Sequence, residues 1–175
     1  LNVFQTMIDF KKEIEVAKEA SRISATLLKS DSNDLNEKLF EQGTDIKISA
    51  DFQSEELIKD YLSNNSDFPI LAEESGSNEG LGETFWIVDP LDGTLNYSRN
   101  FPIYCISIAL FRNNEAYLGV INDFTNDDIY VGCIDSFAEK NGTKIHVSNI
   151  AEREKATLAT GPGVQTREND NLFTK

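Results

Sequence analysis

The sequence has few cysteines and no long apolar run. Its two cysteines, Cys105 and Cys133, each lie in an apolar, strand-like segment, which is typical of buried, reduced thiols rather than of a disulfide framework. A membrane-spanning helix needs a run of about 18 apolar residues, and the sequence contains no such run. The first residues lack the basic and then apolar segments of a signal peptide, so we expect a cytoplasmic location.

Basic residues are also scarce. The 175-residue chain has 16 Lys+Arg against 30 Asp+Glu, which gives a net charge of −14. Nucleic acids and anionic membranes are bound through basic surfaces, so neither is an expected partner. Hydrophobic residues make up 39% of the chain, with 11 Phe and 5 Tyr, and this content predicts a folded core rather than disorder.

The predicted elements are helices first and strands afterwards. Apolar residues spaced three to four apart predict a long helix over residues 3–29 and a second over 51–62. Short β-type runs follow at 69–74, 85–91, 105–111, 116–123 and 128–134. Polar turns between the last three runs, and one more at Asn141-Gly142, predict antiparallel hairpins. The expected fold class is therefore α+β, with two long helices packed on an antiparallel β-sheet.

The densest group of acidic residues ends the 85–91 run. Asp89 and Asp92 flank Pro90-Leu91, and Gly93-Thr94 follow them. Carboxylates at a strand end suit hard cations such as Mg²⁺, and free N–H groups at a helix start suit phosphate. Glu73-Glu74, which end the preceding run, would add to this acidic edge. The same segment is equally good chemistry for a turn with an Asp helix cap, so both interpretations stay open from these residues alone.

A wider set of segments extends this motif in both directions. Residues 86–97 are followed by Phe101-Pro102 and Ser107-Ile108-Ala109, and are preceded by residues 45–55 and by Ala72-Glu73-Glu74-Ser75. Downstream lie Asn141-Gly142, residues 145–148 and residues 158–161. In content and order these segments resemble the inositol monophosphatase family, whose members are Mg²⁺-dependent, lithium-sensitive phosphomonoesterases.

The resemblance implies a set of metal ligands. Asp89 would bridge two metal ions, and Glu73 with the Leu91 carbonyl would complete the protein ligands of the first. Asp92 would bind the second. Two or three Mg²⁺ ions per site are expected, and they would suit the chemistry of a phosphomonoester.

The resemblance also implies the phosphate-binding and catalytic residues. Gly93, Thr94 and Asp92 would hold the substrate phosphate. The family's reaction is direct attack of a metal-activated water on phosphorus, without a covalent phosphoenzyme. Thr94, hydrogen-bonded to Asp51, and Glu73 would lie near that water, so Glu73, Thr94 and Asp51 are the predicted catalytic residues.

The sequence departs from the family pattern in two places. Ile48 stands where many relatives carry Thr, in the segment before Asp51. Relatives also continue into a second half with a Trp-Asp-x-Ala-Ala-Gly type motif, whose Asp is the remaining ligand of the second metal. Nothing similar occurs in residues 161–175. We therefore expect residues 1–160 to form an N-terminal metal- and phosphate-binding domain and 161–175 to begin a missing C-terminal domain, leaving this chain alone weak or inactive.

A few other residues have simpler interpretations. His146, the only histidine, and Trp86 are expected to be structural. Lys38 lies near a segment that helps to bind metal or substrate in relatives, but a solvated lysine is favoured. Glu74 is expected to support the metal ligands rather than to bind metal. Gly161-Pro162-Gly163 lacks the Lys-Ser/Thr of a phosphate loop and is interpreted as a turn.

The expected activity is hydrolysis of a small phosphorylated alcohol, with inositol monophosphate as first choice. Fructose-1,6-bisphosphate is an alternative substrate. 3′-Phosphoadenosine 5′-phosphate is a weaker one, because residues 93–97 follow the inositol phosphatase style. A catalytically incomplete binding or regulatory domain is the alternative from a different class. Relatives are often homodimers, so the resemblance implies a homodimer as well.

Overall fold

The computed structural model describes residues 11–30, 33–42, 45–76, 80–113, 115–134 and 136–157. Helix α1 spans Lys11–Leu28, and helix α2 spans Ser49–Asn65. The predicted helix over 3–29 is confirmed from residue 11 onward, and its residues 3–10 lie outside the described ranges. Helix α2 begins two residues before its predicted start and ends three residues after its predicted end. Within the described ranges, no helix is both long and apolar enough to cross a membrane.

A hairpin that the apolar pattern did not predict connects the two helices. After a 3₁₀ turn at Asn33–Asn36, strand β1 (Lys38–Gln42) pairs antiparallel with β2 (Asp45–Ile48). Helix α2 then starts at once, and the carboxylate of Asp51 accepts the Ile48 N–H at 2.7 Å. An acid in the first helical turn satisfies a free donor and complements the helix dipole, so this bond stabilises the start of α2.

The second half of the described chain is a seven-stranded sheet with the order β3-β4-β5-β6-β7-β8-β9. Its strands are β3 (Ile70–Ala72), β4 (Thr84–Asp92), β5 (Cys105–Arg112), β6 (Glu115–Asp123), β7 (Asp128–Cys133), β8 (Phe137–Lys140) and β9 (Thr143–Lys144). A five-residue helix, α3 (Thr94–Ser98), lies between β4 and β5. The expected α+β class is confirmed, including the hairpin turn at Asn141-Gly142.

One pairing differs from the predicted hairpins. Strands β4 to β9 pair antiparallel, but β3 runs parallel to β4, with Ala72 opposite Val88. A parallel pair needs a crossover instead of a tight turn, and an apolar run does not reveal its own direction. This pairing brings the carboxyl ends of β3 and β4 to the same edge of the sheet.

The core lies between the helices and one face of the sheet. Helix α1 packs on α2, β5 and β6, and α2 packs on β4. Alternate strand residues point into this layer, as a half-covered sheet requires. The fully buried ones include Trp86, Val88, Ile106, Ile108, Leu110 and Val120. The prediction that Trp86 is a core residue is confirmed; its indole N–H donates to the Ser66 hydroxyl at 3.0 Å.

Candidate active site

Glu73 lies beside Asp89 because of the parallel pairing of β3 and β4. The Glu73 N–H donates to the Val88 carbonyl at 3.1 Å, which extends the pairing by one residue past Ala72. At this shared edge the negative charge of Glu73 acts on Asp89 and helps to raise the pKa of that carboxyl. The sequence predicts that the acidic ends of two strands meet, and they do. The pairing that brings Glu73 to Asp89 is the parallel one between β3 and β4, which the sequence did not predict.

Strand β4 loses its regular pairing where the acids are densest. Its register with β5 shifts between Asp89 and Asp92, so Pro90 and Leu91 form an irregularity within the strand and are not opposite a residue of β5. The carbonyl of Pro90 accepts a hydrogen bond from the buried Ser54 hydroxyl at 2.8 Å, and the Leu91 N–H donates to Asp89 Oδ1 at 3.2 Å. These bonds hold the Asp89–Asp92 segment in a fixed bend at the end of the strand.

Gly93 makes the tight connection from β4 to α3. Its φ is +94°, and a Cβ atom there would lie 2.8 Å from the Ile103 carbonyl oxygen. Only glycine adopts such a conformation without strain, and only glycine has room here. The Gly93 carbonyl accepts the Tyr97 N–H at 3.0 Å, so helix α3 begins directly after it. Thr94 is therefore the first residue of a helix at the same edge as Glu73 and Asp89.

Thr94 is hydrogen-bonded to Asp51. Its hydroxyl lies 2.8 Å from Asp51 Oδ1 and 3.1 Å from the Leu91 carbonyl, and Asp51 is only 1% exposed. The other Asp51 oxygen accepts the Ile48 N–H. Because that contact uses the backbone of Ile48, the replacement of the usual Thr side chain does not disturb it. The predicted contact between Asp51 and Thr94 is present.

Burial controls the charge of Asp51. It raises the pKa of this carboxyl from 3.8 to about 6, opposed by the hydrogen bonds from Ile48 and Thr94. The negative charges of Glu74 and Glu73 raise it further. Asp51 can therefore change its protonation state close to neutral pH, which is a requirement for a group that exchanges protons during a reaction.

The pKa of Asp89 is raised further than that of Asp51. Burial, which is the largest cause, and the negative charges of Glu73 and Asp92 together raise the pKa of Asp89 to about 7. Three acids that repel one another favour a bound cation, and oxygen donors of this kind suit Mg²⁺. The described residues contain no preformed group of three or more His, Cys, Asp or Glu side chains arranged to hold a metal ion. The donor chemistry thus fits Mg²⁺, whereas the assignment of individual ligands remains a prediction.

A cavity of about 700 Å³ opens beside Asp92 and Gly93. Tyr104, Cys105 and Ile121 contribute to its wall. The thiol of Cys105 lies 3.8 Å from Asp92 Oδ2, and burial with the charges of nearby acids raises its pKa to about 12. This thiol stays protonated and unreactive at neutral pH. The cavity is large enough for a small phosphorylated molecule.

Two buried polar residues of α2 were missed by the sequence analysis. Ser54 donates to the Pro90 carbonyl, and Glu55 accepts the N–H groups of Glu74 at 2.7 Å and Ser75 at 3.2 Å. Both lie on the same helical face as Asp51, three and four residues further on. That spacing was the available signal. The spacing alone is a weak signal, because polar residues on a helix usually face solvent.

The other residues named in the sequence analysis are not part of the acidic edge, although Glu74 lies next to it. Glu74 pairs with Lys47 at 2.6 Å, next to Glu73. His146 is exposed after β9, and Lys38 is exposed at the start of β1. Both cysteines are free as expected, but they are partly exposed rather than buried. Cys105 lies on the strand face opposite the core, whereas Cys133 lies on the same face as Val131 and packs against the core without being fully covered. The predicted turn at 161–163 and the boundary at 160/161 lie outside the described residues.

Comparison with known proteins identifies the family. The sequence model of the inositol monophosphatase family matches residues 9–173. The chain belongs to this family. It is 31% identical over 170 residues to the fructose-1,6-bisphosphatase/inositol-1-monophosphatase of Aquifex aeolicus, covering 95% of this chain and 64% of that protein. It is 38% identical over 105 residues to the Nus factor SuhB of Xylella fastidiosa, covering 60% of this chain and 38% of that protein.

Solved structures give the same assignment. An inositol monophosphatase of Thermotoga maritima matches with a TM-score of 0.72 at 28% identity, covering 79% of this chain and 55% of that one. The extragenic suppressor protein suhB of Bartonella henselae matches with a TM-score of 0.71 at 30% identity, covering 78% and 54%. The chain therefore spans about half the length of the relatives it matches.

Proposed function

We propose that this chain is the N-terminal part of a Mg²⁺-dependent phosphomonoesterase that hydrolyses a small phosphorylated alcohol. The observation that carries the proposal is the meeting of Glu73 and Asp89 at the same sheet edge as the Thr94–Asp51 hydrogen bond. An acidic cation site beside a hydroxyl group, a buried proton acceptor and a helix start is what a metal-dependent phosphatase needs.

The proposed metal ligands come from the end of β4 and from the turn after β3. Glu73, Asp89 and the Leu91 carbonyl would hold one Mg²⁺ ion, and Asp89 with Asp92 would contribute to a second. Bound Mg²⁺ lowers the pKa of water and neutralises charge on phosphoryl oxygens. The residues themselves keep the oxygen donors together: Asp89 is fixed by the Leu91 N–H, and Glu73 is fixed by the Val88 carbonyl.

Thr94 and Asp51 are the proposed proton-transfer pair. The Thr94 hydroxyl donates to Asp51, which leaves the lone pairs of its oxygen to accept a proton from a water molecule. Asp51 has a pKa of about 6, so it is mostly ionised at pH 7 and can accept the hydroxyl proton in turn. The N–H groups of Gly93 and Thr94, with Asp92, are the proposed contacts to the phosphate.

Inositol monophosphate is the first choice of substrate. The relatives named as inositol monophosphatases support it, among them the Synechocystis inositol-1-monophosphatase, at 34% identity over 119 residues. The Aquifex relative, whose name includes both activities, supports fructose-1,6-bisphosphate as the alternative. 3′-Phosphoadenosine 5′-phosphate ranks lower because of the residues at 93–97.

A catalytically incomplete binding domain is the competing proposal. Two observations support it: this chain spans only part of the length of its relatives, and some of those relatives are named as Nus factors. Against it stand five intact site residues: Asp51, Glu73, Asp89, Asp92 and Thr94. On the enzymatic proposal, residues 1–160 supply one wall of the site, a second half supplies the other, and the whole protein is a cytoplasmic homodimer.

The deciding experiment is a phosphatase panel on the full-length protein with millimolar Mg²⁺. It would compare inositol monophosphate, fructose-1,6-bisphosphate and 3′-phosphoadenosine 5′-phosphate, with and without EDTA. We expect EDTA-sensitive release of phosphate, greatest from inositol monophosphate. No phosphate release from any substrate would reject the enzymatic proposal in favour of a binding role.

A further inference from the structure

Helix α2 carries a buried acid to which the proposed reaction gives no role. Glu55 is only 4% exposed, and a buried carboxylate is costly unless donors surround it. Three donors converge on it. The Glu74 N–H lies 2.7 Å from Oε2, the Ser75 N–H lies 3.2 Å from Oε1, and the Lys59 ammonium lies 3.6 Å from Oε1. The carboxylate is therefore the anchor of one particular backbone segment.

That segment is the turn that carries Glu73. The turn closes by a hydrogen bond from the Gly76 N–H to the Ala72 carbonyl at 3.0 Å, directly after β3. On the β4 side its backbone is held by the Val88 carbonyl, which accepts the Glu73 N–H. On the α2 side it is held by Glu55 at the two following residues. Glu73 thus sits between two fixed points.

The turn needs this second fixed point. Strand β3 has only three residues and lies at the edge of the sheet, so few ladder hydrogen bonds hold it. An ion pair and a hydrogen bond reinforce the anchor: Lys47 pairs with Glu74 at 2.6 Å, and Lys59 donates to the Ser75 hydroxyl at 3.0 Å. The two lysine side chains are partly exposed. Glu55, in contrast, is buried and accepts hydrogen bonds from the backbone of the turn.

We propose that Glu55 is a positioning residue that fixes the turn after β3, so that the Glu73 carboxylate stays beside Asp89 and divalent cations bind tightly. This inference rests on the proposed function, in which Glu73 and Asp89 are metal ligands. Groups that orient ligands without touching the metal affect metal affinity strongly, because a misplaced ligand loses most of its contribution. Glu55 has no contact with substrate in this role and is not a catalytic residue.

The test variant is Glu55→Gln in the full-length protein. The amide retains one acceptor oxygen for the Glu74 N–H, but its NH₂ group then faces the Ser75 N–H and the Lys59 ammonium, which are both donors. Glu56→Gln is the matched control. It removes the same charge from the neighbouring residue, whose side chain is exposed.

Two measurements separate positioning from general loss of structure. Calorimetric titration with Ca²⁺ alone reports cation binding without turnover, and the Mg²⁺ dependence of activity separates metal affinity from kcat. For Glu55→Gln we expect about 10–100-fold weaker Ca²⁺ binding and a matching rise in the Mg²⁺ concentration at half-maximal activity. At saturating Mg²⁺, kcat should be much less affected. Glu56→Gln should change cation affinity by no more than about twofold, because its charge is screened by solvent.

The outcomes distinguish the two proposals. Ca²⁺ affinity in Glu55→Gln equal to that of the wild type would overturn the positioning role. A wild-type protein that binds no Ca²⁺, or binds it no better than Asp89→Asn does, would overturn the proposed function instead. If Glu55→Gln fails to fold by circular dichroism, Glu55→Asp carries the test. Aspartate keeps the carboxylate, but its side chain is one methylene shorter and does not reach the backbone of the turn. Unchanged Ca²⁺ affinity in that variant would also overturn the inference.

Discussion

The hydroxyl of Thr94 donates a 2.8 Å hydrogen bond to Asp51, which lies 43 residues earlier in the chain. This bond joins the first turn of α2 to the first turn of α3, across the end of β4. It places a hydroxyl group at the sheet edge with its proton directed toward a buried carboxylate. The pair couples the helical layer to the acidic edge, and its two members can be tested separately.

Removal of the Thr94 hydroxyl should reduce turnover without unfolding the protein. Thr94→Val keeps the shape of the side chain but loses the donor to Asp51, so we expect kcat of the full-length enzyme to fall about 100-fold or more. Thr94→Ser retains the hydroxyl and is the matched control, with most activity kept. Steady-state kinetics at saturating Mg²⁺ would measure both. Similar kcat values for the valine and serine variants would contradict a proton-transfer role.

Asp51 should make stability fall as the pH rises. Its pKa is raised to about 6 in the folded protein from an ordinary value of 3.8, so folding favours the protonated form. The contribution is fully present below pH 3.8 and is lost as the pH rises through about 6. The shift corresponds to about 3 kcal/mol.

Urea unfolding at pH 4 and pH 7.5, in metal-free buffer, would isolate this contribution. Asp51→Asn removes the titrating group, and Thr94 can then donate to the Leu91 carbonyl, 3.1 Å away. The free energy of unfolding of the variant relative to wild type should therefore increase between the two pH values. A relative stability that stays constant, or that decreases, would show that the Asp51 pKa is not raised.

The sequence predicts the main helices and the strands of the large sheet because their apolar residues follow clear periods. It does not predict the direction of β3, since an apolar run has no polarity of its own. The β1–β2 hairpin is also missed. Leu39 and Phe40 are 53% and 44% exposed, so β1 carries no pattern of burial for a period to reveal.

The candidate site divides in the same way. Asp89, Asp92 and Thr94 lie in one continuous motif, and their local spacing is enough to suggest metal and phosphate chemistry. Ser54 and Glu55 act on backbone atoms 36 and about 20 residues away, and only the packing of α2 against β4 brings these partners together. Side chains that bind distant backbone groups leave no short motif, so three-dimensional structure is required to find them.

Divalent cations should stabilise the protein through Asp89. Burial and the negative charges of Glu73 and Asp92 raise the pKa of this carboxyl to about 7, because ionised acids repel one another at this edge. A cation that binds only the folded state raises stability by mass action. The melting temperature of the full-length protein should rise with millimolar Mg²⁺ or Ca²⁺ at pH 8, and Asp89→Asn should lose most of that rise and most activity. A melting temperature that is the same with and without either cation would count against the proposed metal site.

Alanine at position 93 should disturb the backbone that is proposed to bind the phosphate. Gly93→Ala places a Cβ 2.8 Å from the Ile103 carbonyl oxygen and forces a left-handed φ of +94° on a residue that resists it. We expect a loss of about 1–3 kcal/mol in the free energy of unfolding and a higher KM for substrate. Gly132→Ala is the control, because a Cβ there meets nothing within 4 Å. Equal stability of the two variants in urea would contradict this account of the turn.

Residues 1–175 alone should be a poor phosphatase or none. Glu73, Asp89 and the Leu91 carbonyl would still hold one cation, but a second would keep only Asp89 and Asp92, and Mg²⁺ with fewer ligands binds more weakly. Next to Asp92, the cavity wall includes Ile103 and Ile121, which are 63% and 45% exposed. With this wall open, water screens the charges of the site and apolar surface promotes association. Purified residues 1–175 should therefore elute as oligomers or aggregates in size-exclusion chromatography and release little phosphate from inositol monophosphate at excess Mg²⁺. Turnover equal to that of the full-length protein would show instead that these 175 residues carry a complete set of ligands.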